Sequence, residues 1–437
     1  MEQYALIDKE AQHDGRKNDE LDCMAQVVKR ALPANYNFEV PKCVRKIKDM
    51  QAKTVALQMP EGLLGWGCEI ADILTFFCES LEEVIIMADV TYGACCIDDM
   101  TASSMGCDLI IHYGHSCLVP VTTVTVQCLY VFVEISFPPQ YLAKVIADLF
   151  KPEDQIFLMG TIQYSNVLRE AATLVDRNGK FKSKVLIPQA TPLLPGEVLG
   201  CTSPKLHNFS FEPNDMHCED GANLQHHEEY YCEKGGERII LFIADGRFHL
   251  ESALIHNPGI KAYRFDPFNK TVSEESYDLE TLHSTRRDAI KIAKGARSVC
   301  LVVSMLGRQG NFNIMNSLKK MLQKHNIAYH IRFLSEITLD KLEDLGVDAY
   351  IQVGCPRLSI DWGTGFGKPI LNPYEAYVTF SSEDYRNVYP MDYYANDGGE
   401  WSNYTANRRE IPRLDNKDAI RLRLQQRATQ KQIKYTS

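Results

Sequence analysis

The stretch Val84-Ile-Ile-Met-Ala-Asp-Val-Thr-Tyr-Gly-Ala-Cys-Cys-Ile-Asp-Asp99 decides how this chain is read. Its first five residues form a short apolar run, the pattern of a buried strand, and a Gly-containing turn follows. A loop after such a strand lies at the carboxyl edge of a parallel sheet, where ligands of open α/β folds bind. This loop carries two adjacent thiols, Cys95 and Cys96. Two more cysteines stand in similar settings. Cys201 closes Pro195-Gly-Glu-Val-Leu-Gly-Cys201, and Cys355 follows the strand-like Ala349-Tyr-Ile-Gln-Val353. Each third of the chain therefore has one thiol beside a strand end.

Outward from that stretch, strands alternate with helices in three rounds. The first round places strands at 55–59, 84–88, 109–113 and 129–135. The second places them at 155–159, 184–187 and 238–244, closed by a helix over 274–293. The third places them at 299–303, 329–334 and 349–353, with a helix over 312–323. Strands alternating with helices of this length predict an α/β fold of parallel sheets flanked by helices. The expected units are 53–150 with Cys95, 151–297 with Cys201 and 298–385 with Cys355. Residues 1–52 read as an N-terminal extension with a short helix near 24–31. Residues 386–437 read as a polar, basic tail, which from Arg408 onward holds nine Lys and Arg against three Asp and Glu. Residues 206–237 carry eight acidic side chains and little apolar content, the composition of a solvated surface insertion.

Composition narrows the function classes. A net charge of −10 on 437 residues argues against a general nucleic-acid binder. The longest mostly apolar run, 118–135, is interrupted by Thr122, Thr123, Thr125 and Gln127, so no membrane span is expected. No charged, apolar and small-residue signal opens the chain, and fourteen cysteines then point to a reducing, cytoplasmic compartment. Cys68, Cys78, Cys107, Cys128 and Cys300 fall in helical or strand patterns and read as small buried hydrophobes.

Several constellations can carry chemistry. Zinc sites built from cysteine usually show a short pair such as C-x-x-C, and the three isolated loops have none. Iron–sulfur clusters use thiolates, commonly four; three would leave one iron open to a substrate. Spacing alone favours the ordinary alternative, unconnected buried cysteines. Gly307-Arg-Gln-Gly310 lies between a strand and a helix N-terminus, where backbone N–H groups can hold a carboxylate; a tight turn explains it equally well. Asp245-Gly-Arg-Phe-His249 also ends a strand. Arg247 there can hold a carboxylate and His249 can line a pocket, although a lone histidine is more often structural. Gly363-Thr-Gly-Phe-Gly367 reads as a turn, and the irregular spacing of His217, Cys218, His226, His227 and Cys232 makes a poor metal motif.

Taken together, DVTYGACCIDD (89–99), YGHSCLVP (113–120), PGEVLGCTSP (195–204), DGRFHLES (245–252), YRFDP (263–267), LGRQG (306–310) and CPRLSIDWG (355–363) resemble the diphthamide-synthesis 3-amino-3-carboxypropyltransferase family, in its eukaryotic subunit 1 branch. The resemblance implies three related α/β domains meeting at a central [4Fe-4S] cluster held by Cys95, Cys201 and Cys355; Cys96 matches no ligand position. It implies S-adenosylmethionine as substrate, cleaved between sulfur and Cγ by the reduced cluster. The 3-amino-3-carboxypropyl radical is then added to a histidine of translation elongation factor 2, the first step of diphthamide biosynthesis. It also implies a paralogous second subunit in a heterodimer and a small iron-binding electron donor. The second subunit of the family lacks the middle cysteine, so Cys201 marks a catalytic-type chain. For the cofactor's methionyl end the candidates are Arg247, His249, Gly307, Arg308 and Gly310. The competing readings are a non-catalytic partner subunit and a zinc- or nucleotide-binding α/β enzyme.

Overall fold

Three four-stranded sheets organise the computed structural model, which describes residues 17–88, 97–114, 119, 124–206 and 236–403. The first sheet is built from β1 (Thr54–Gln58), β2 (Glu83–Met87), β3 (Leu109–Tyr113) and β4 (Gln127–Val131). Its order is β2-β1-β3-β4 and every pairing is parallel. The second contains β5 (Gln155–Gly160), β6 (Arg238–Ile243), β7 (Lys261–Asp266) and β8 (Thr271–Glu275), in that spatial order. The third contains β9 (Ser298–Ser304), β10 (Ala328–Leu334), β11 (Ala349–Val353) and β12 (Ile370–Leu371), ordered β10-β9-β11-β12 and parallel throughout.

The first and third sheets thus share one strand order, second-first-third-fourth. The second sheet follows it too once Leu186 is counted. That residue forms a parallel bridge to Phe157 on the free side of β5, through Leu158 N–H to Leu186 O (2.8 Å) and Leu186 N–H to Ile156 O (2.9 Å). The expected strand at 184–187 is reduced to this single bridge. In each sheet one strand, β3, β5 and β11, is buried along its whole length, as a strand covered on both faces must be.

The helices follow from apolar stripes at helical spacing. Those used below are α1 (Lys17–Ala31), α2 (Val40–Met50), α3 (Gly67–Phe77), α4 (Asp99–Ser104), α5 (Pro139–Leu149), α6 (Ser165–Asn178), α7 (Phe248–His256), α8 (Leu279–Ala293), α9 (Phe312–Lys324), α10 (Arg357–Trp362) and α11 (Pro373–Phe380). Several start on side-chain caps. Asn311 accepts from the Asn313 and Ile314 amides at the head of α9, and Asn372 with Glu375 forms a capping box on α11. Among the described residues no helix is long and apolar enough to cross a membrane.

The structure departs from the sequence reading in five further places. Residues 17–52 are more than an extension: α1 and the unanticipated α2 insert Met24, Val27, Val44 and Ile47 into the core beneath the first sheet. Residues 386–403 are likewise no tail. Tyr389, Met391, Tyr393 and Trp401 are buried in the third unit, with Tyr374 and Trp401 ring centroids 4.8 Å apart, because large aromatic surface outweighs the polar residues between them. The helix expected from 274 begins only at Leu279. Ahead of it β7 and β8 form an antiparallel hairpin, the one such pairing in the three sheets. The strand expected over 129–135 breaks at Val133, whose φ is 52°. Cys68 is exposed and Cys128 half-buried, whereas Cys78, Cys107 and Cys300 are buried as expected. The Cys95–Cys96 loop, residues 207–235 with their His and Cys set, and the basic residues from 404 onward lie outside the described residues.

Candidate functional site

Cys355 sits where the central strand β11 ends. Gly354 before it packs so closely on Ser304 that a Cβ there would lie 2.9 Å from the serine Cβ, so the chain can turn only on glycine. The Cys355 carbonyl accepts from Gln352 Nε2 (3.0 Å) and from the Leu358 amide (3.1 Å), which starts α10. Cys201 arrives from the second unit. After the Leu186 bridge the chain passes the end of β5, where the Gly160 amide donates to Gly196 O and the Val198 amide to Gly160 O. It then makes a tight turn closed by reciprocal bonds between Leu199 and Thr202. Gly200 and Cys201 form the tip. Gly200 has the Phe248 ring where a side chain would be, which excludes any larger residue.

Two neighbours hold this turn. On one side, Ser252 of α7 donates to Leu199 O, and Ser203 Oγ donates to Ser252 O (3.1 Å). On the other, the Ser203 amide donates to Met391 O (2.9 Å) and the Tyr394 amide to Thr202 Oγ1 (3.0 Å). The segment read as tail thus forms a wall of the site.

The two thiols meet at one small cavity of ≈ 20 Å³, lined also by Gln309, Gly354, Tyr393, Tyr394, Trp401 and Asn403. Burial and then the neighbouring Cys355 push the Cys201 thiol up to about 12, against smaller opposing effects of Thr202 and Arg357. Two thiols at one cavity with no carboxylate among the lining residues make a soft donor site. It suits an iron–sulfur group, whose positive iron offsets the repulsion between adjacent thiolates. The cavity has room for about one water, so a larger group would sit on the open side of the sulfurs, and both cysteines keep some exposure there. Among the described residues no three metal-ligating side chains gather, and the third expected ligand, Cys95, is outside them.

Arg357, two residues beyond Cys355, is the part of the site that sequence reasoning missed. It is 3% exposed. Its Nη1 donates to Phe248 O (3.0 Å) and Gly200 O (3.4 Å), Nη2 to Glu251, and Nε to both oxygens of Asp361 (3.0 and 2.9 Å). Its guanidinium also stacks 4.4 Å from the Phe248 ring centroid. The only hint in the sequence was its place in CPRLSIDWG, which says nothing of a partner 157 residues away.

The remaining candidates divide. Gln309 brings the 306–310 loop to the thiol cavity. Gly307 there has φ 53°, and a Cβ on Gly310 would run into the Ser304 carbonyl, so both glycines serve the turn between β9 and α9. Arg308 turns its fork to Asp99, with Nε–Oδ1 2.7 Å and Nη2–Oδ2 2.5 Å. Arg247 is half-exposed and engaged by Glu251 (2.8 Å), the Ser276 carbonyl (3.0 Å) and Glu275 (3.4 Å). His249 is half-buried with its ring edge-on to Phe248. Both arginines expected to grip a substrate carboxylate therefore already hold protein carboxylates.

Known proteins with this arrangement are recognisable. The family model described as "Putative diphthamide synthesis protein" matches residues 59–390. A Dictyostelium discoideum protein named 2-(3-amino-3-carboxypropyl)histidine synthase subunit 1 is 43% identical over 377 residues, 86% of this chain and 75% of that one. The Homo sapiens protein of the same name is 44% identical over 381 residues, 86% of this chain and 80% of that one. The crystal structure of Dph2 from Pyrococcus horikoshii with a 4Fe-4S cluster superposes with a TM-score of 0.61 at 26% identity, covering 82% of this chain and 93% of that one. The family model spans most of the chain and the two synthase relatives are 43% and 44% identical to it, so the chain belongs to the diphthamide synthesis protein family.

Proposed function

We propose that this chain is the catalytic-type subunit of a 2-(3-amino-3-carboxypropyl)histidine synthase. Its substrates are S-adenosylmethionine and a histidine of translation elongation factor 2. The observation that carries the reading is the meeting of Cys201 and Cys355, from two different parts of the chain, at one cavity. Family membership and the names of the relatives support it. A [4Fe-4S] group would be held by Cys201 and Cys355, with Cys95 as third ligand. The chemistry such a group supplies is one electron for cleaving the sulfur–Cγ bond of the sulfonium. Tyr393, Tyr394 and Trp401 cover the cavity side of the thiols and keep water from the sulfurs there. The 307–310 backbone, reaching the cavity through Gln309, is the proposed seat of the methionyl carboxylate. Arg247 and His249 are assigned a supporting place at the rim. The subunit 1 name of the relatives supports a second subunit as partner. An electron-donor protein and a cytoplasmic setting complete the proposal.

Anaerobic purification followed by absorbance and electron paramagnetic resonance tests it. The expected result is a brown protein with a reducible cluster that releases methylthioadenosine from S-adenosylmethionine. A colourless protein with stoichiometric zinc would end the reading. The assignment of the first ligand has its own check. Cys95→Ala should strip iron, whereas Cys96→Ala should leave iron content close to wild type; the reverse outcome would mean that Cys96 is the ligand.

A further inference from the structure

We propose that the recess between α8 and residues 383–390 is a docking surface for an acidic, partly apolar segment of a protein partner. Two neighbouring hollows meet there at Tyr385. One, of ≈ 350 Å³, is lined by Arg287, Lys291 and Lys294 of α8 and its carboxyl end, and by Glu383 and Asp384. The other, of ≈ 420 Å³, is lined by Arg386, Lys205 and the buried His256. Neither shares a lining residue with the thiol cavity.

Arg287, Lys291 and Lys294 recur at the spacing that sets side chains on one helix face. All three are exposed, and Lys291 and Lys294 make no ion pair among the described residues. Arg287 lies 4.8 Å from the Tyr385 ring centroid, which fixes its charge at the junction of the two hollows. The attraction of a helix carboxyl end for cations fades within its last turn, so it accounts for Lys291 and Lys294 but not for Arg287. Like charges at this spacing repel, and an acidic segment laid along them relieves that repulsion. The make-up of the recess selects the partner. Five cations face two carboxylates, in a chain whose net charge is −10, so the local field is opposite in sign to that of the whole molecule. Ile290, Val378, Val388 and Pro390 also line it, and apolar side chains fill such a surface where phosphates do not. Glu383 and Asp384 repel a continuous phosphate backbone but can accept from the amides of a polypeptide.

Fluorescence anisotropy of a labelled glutamate–leucine peptide added to the full chain tests this. The peptide is expected to bind, more weakly as salt is raised, and a glutamine–leucine peptide is expected not to bind. Arg287→Gln, Lys291→Gln and Lys294→Gln together should weaken binding about tenfold, the scale of three exposed ion pairs. Arg287→Glu, Lys291→Glu and Lys294→Glu together should lose the acidic peptide and take up a lysine–leucine peptide instead, an exchange that a misfolded chain cannot produce. Both triple variants should keep the melting temperature and iron retention of wild type, because none of the three side chains lines the thiol cavity. If the glutamine triple binds the acidic peptide as wild type does, the inference falls. It falls also if a uridine oligonucleotide binds more tightly than the peptide and the same substitutions abolish that binding, since the surface then takes nucleic acid. Carbodiimide, which joins carboxylates to lysines in contact, covers the remaining occupants. If, in the chain alone, Lys291 or Lys294 is joined to acidic residues of 207–235 or to a second copy, the chain fills its own recess and the inference falls.

Discussion

Cys201→Ala should leave the fold intact and abolish iron retention. The residue is small and forms the tip of a turn. The backbone bonds that hold the turn, between Leu199 and Thr202 and from the Tyr393 amide to Cys201 O, do not depend on its side chain. What the substitution removes is one sulfur and the weak acceptor of the Thr202 hydroxyl at 3.7 Å. Loss of a mere supporting partner weakens a metal site by about 10–100-fold, and loss of a ligand should reach at least about a hundredfold by the same measure. After anaerobic reconstitution and a chelator challenge, iron per chain should fall to near background, while the melting temperature of the metal-free protein stays that of the metal-free wild type. Cys355→Ala should behave alike. A Cys201→Ala protein that keeps its iron would show that the meeting of these two thiols is incidental.

Glu375→Ala should be the most destabilising single change in the third unit. Glu375 and Arg286 are 0% and 1% exposed. Arg286 donates to both carboxylate oxygens (2.6 and 2.7 Å) and to the carbonyls of Ser359 (2.8 Å) and Ile370 (2.7 Å). Glu375 also accepts from Tyr389 (2.7 Å) and from the Asn372 amide (3.0 Å) at the head of α11. The pair joins α8, α10, β12 and α11 at one point, and Gly363 is glycine because the guanidinium occupies the place of its side chain. Removing one partner strands a buried charge, at a cost of about 3–5 kcal/mol. Urea unfolding should show that loss as a lower midpoint. The double change Arg286→Met with Glu375→Leu should recover much of it, since a packed apolar pair can replace a buried ion pair at little cost. A Glu375→Ala loss within about 1 kcal/mol, the range of exposed ion pairs, would mean that water or another group rescues Arg286.

The sequence was most legible where structure is local. The strands at Leu109–Tyr113 and Ala349–Val353 stand where their apolar runs placed them, and α9 starts within one residue of its Asn cap. The Gly363–Gly367 stretch, read as a turn, is a short 3-10 helix over Gly363–Phe366 that continues from α10. The β7–β8 hairpin was not legible. Lys261–Asp266 alternates weakly, and Thr271–Glu275 ends in two adjacent glutamates, so neither passes for a strand until the other pairs with it. The 386–403 segment failed for a related reason: its aromatic residues are spaced irregularly, and only the third unit's core makes them interior.

For the site, the sequence by itself determined the alternation of strands and helices, the position of Cys355 at a strand end, the family motifs and hence the class of chemistry. These follow from short-range periodicity and from residues adjacent in the chain. Only the tertiary structure decided that Cys201 and Cys355 share a cavity, that Arg308 belongs to Asp99 and that Arg357 binds Gly200. Those partners lie 209 and 157 residues apart. No local pattern encodes such a pairing. It exists because the fold brings distant segments together and buried charges cannot be left without partners.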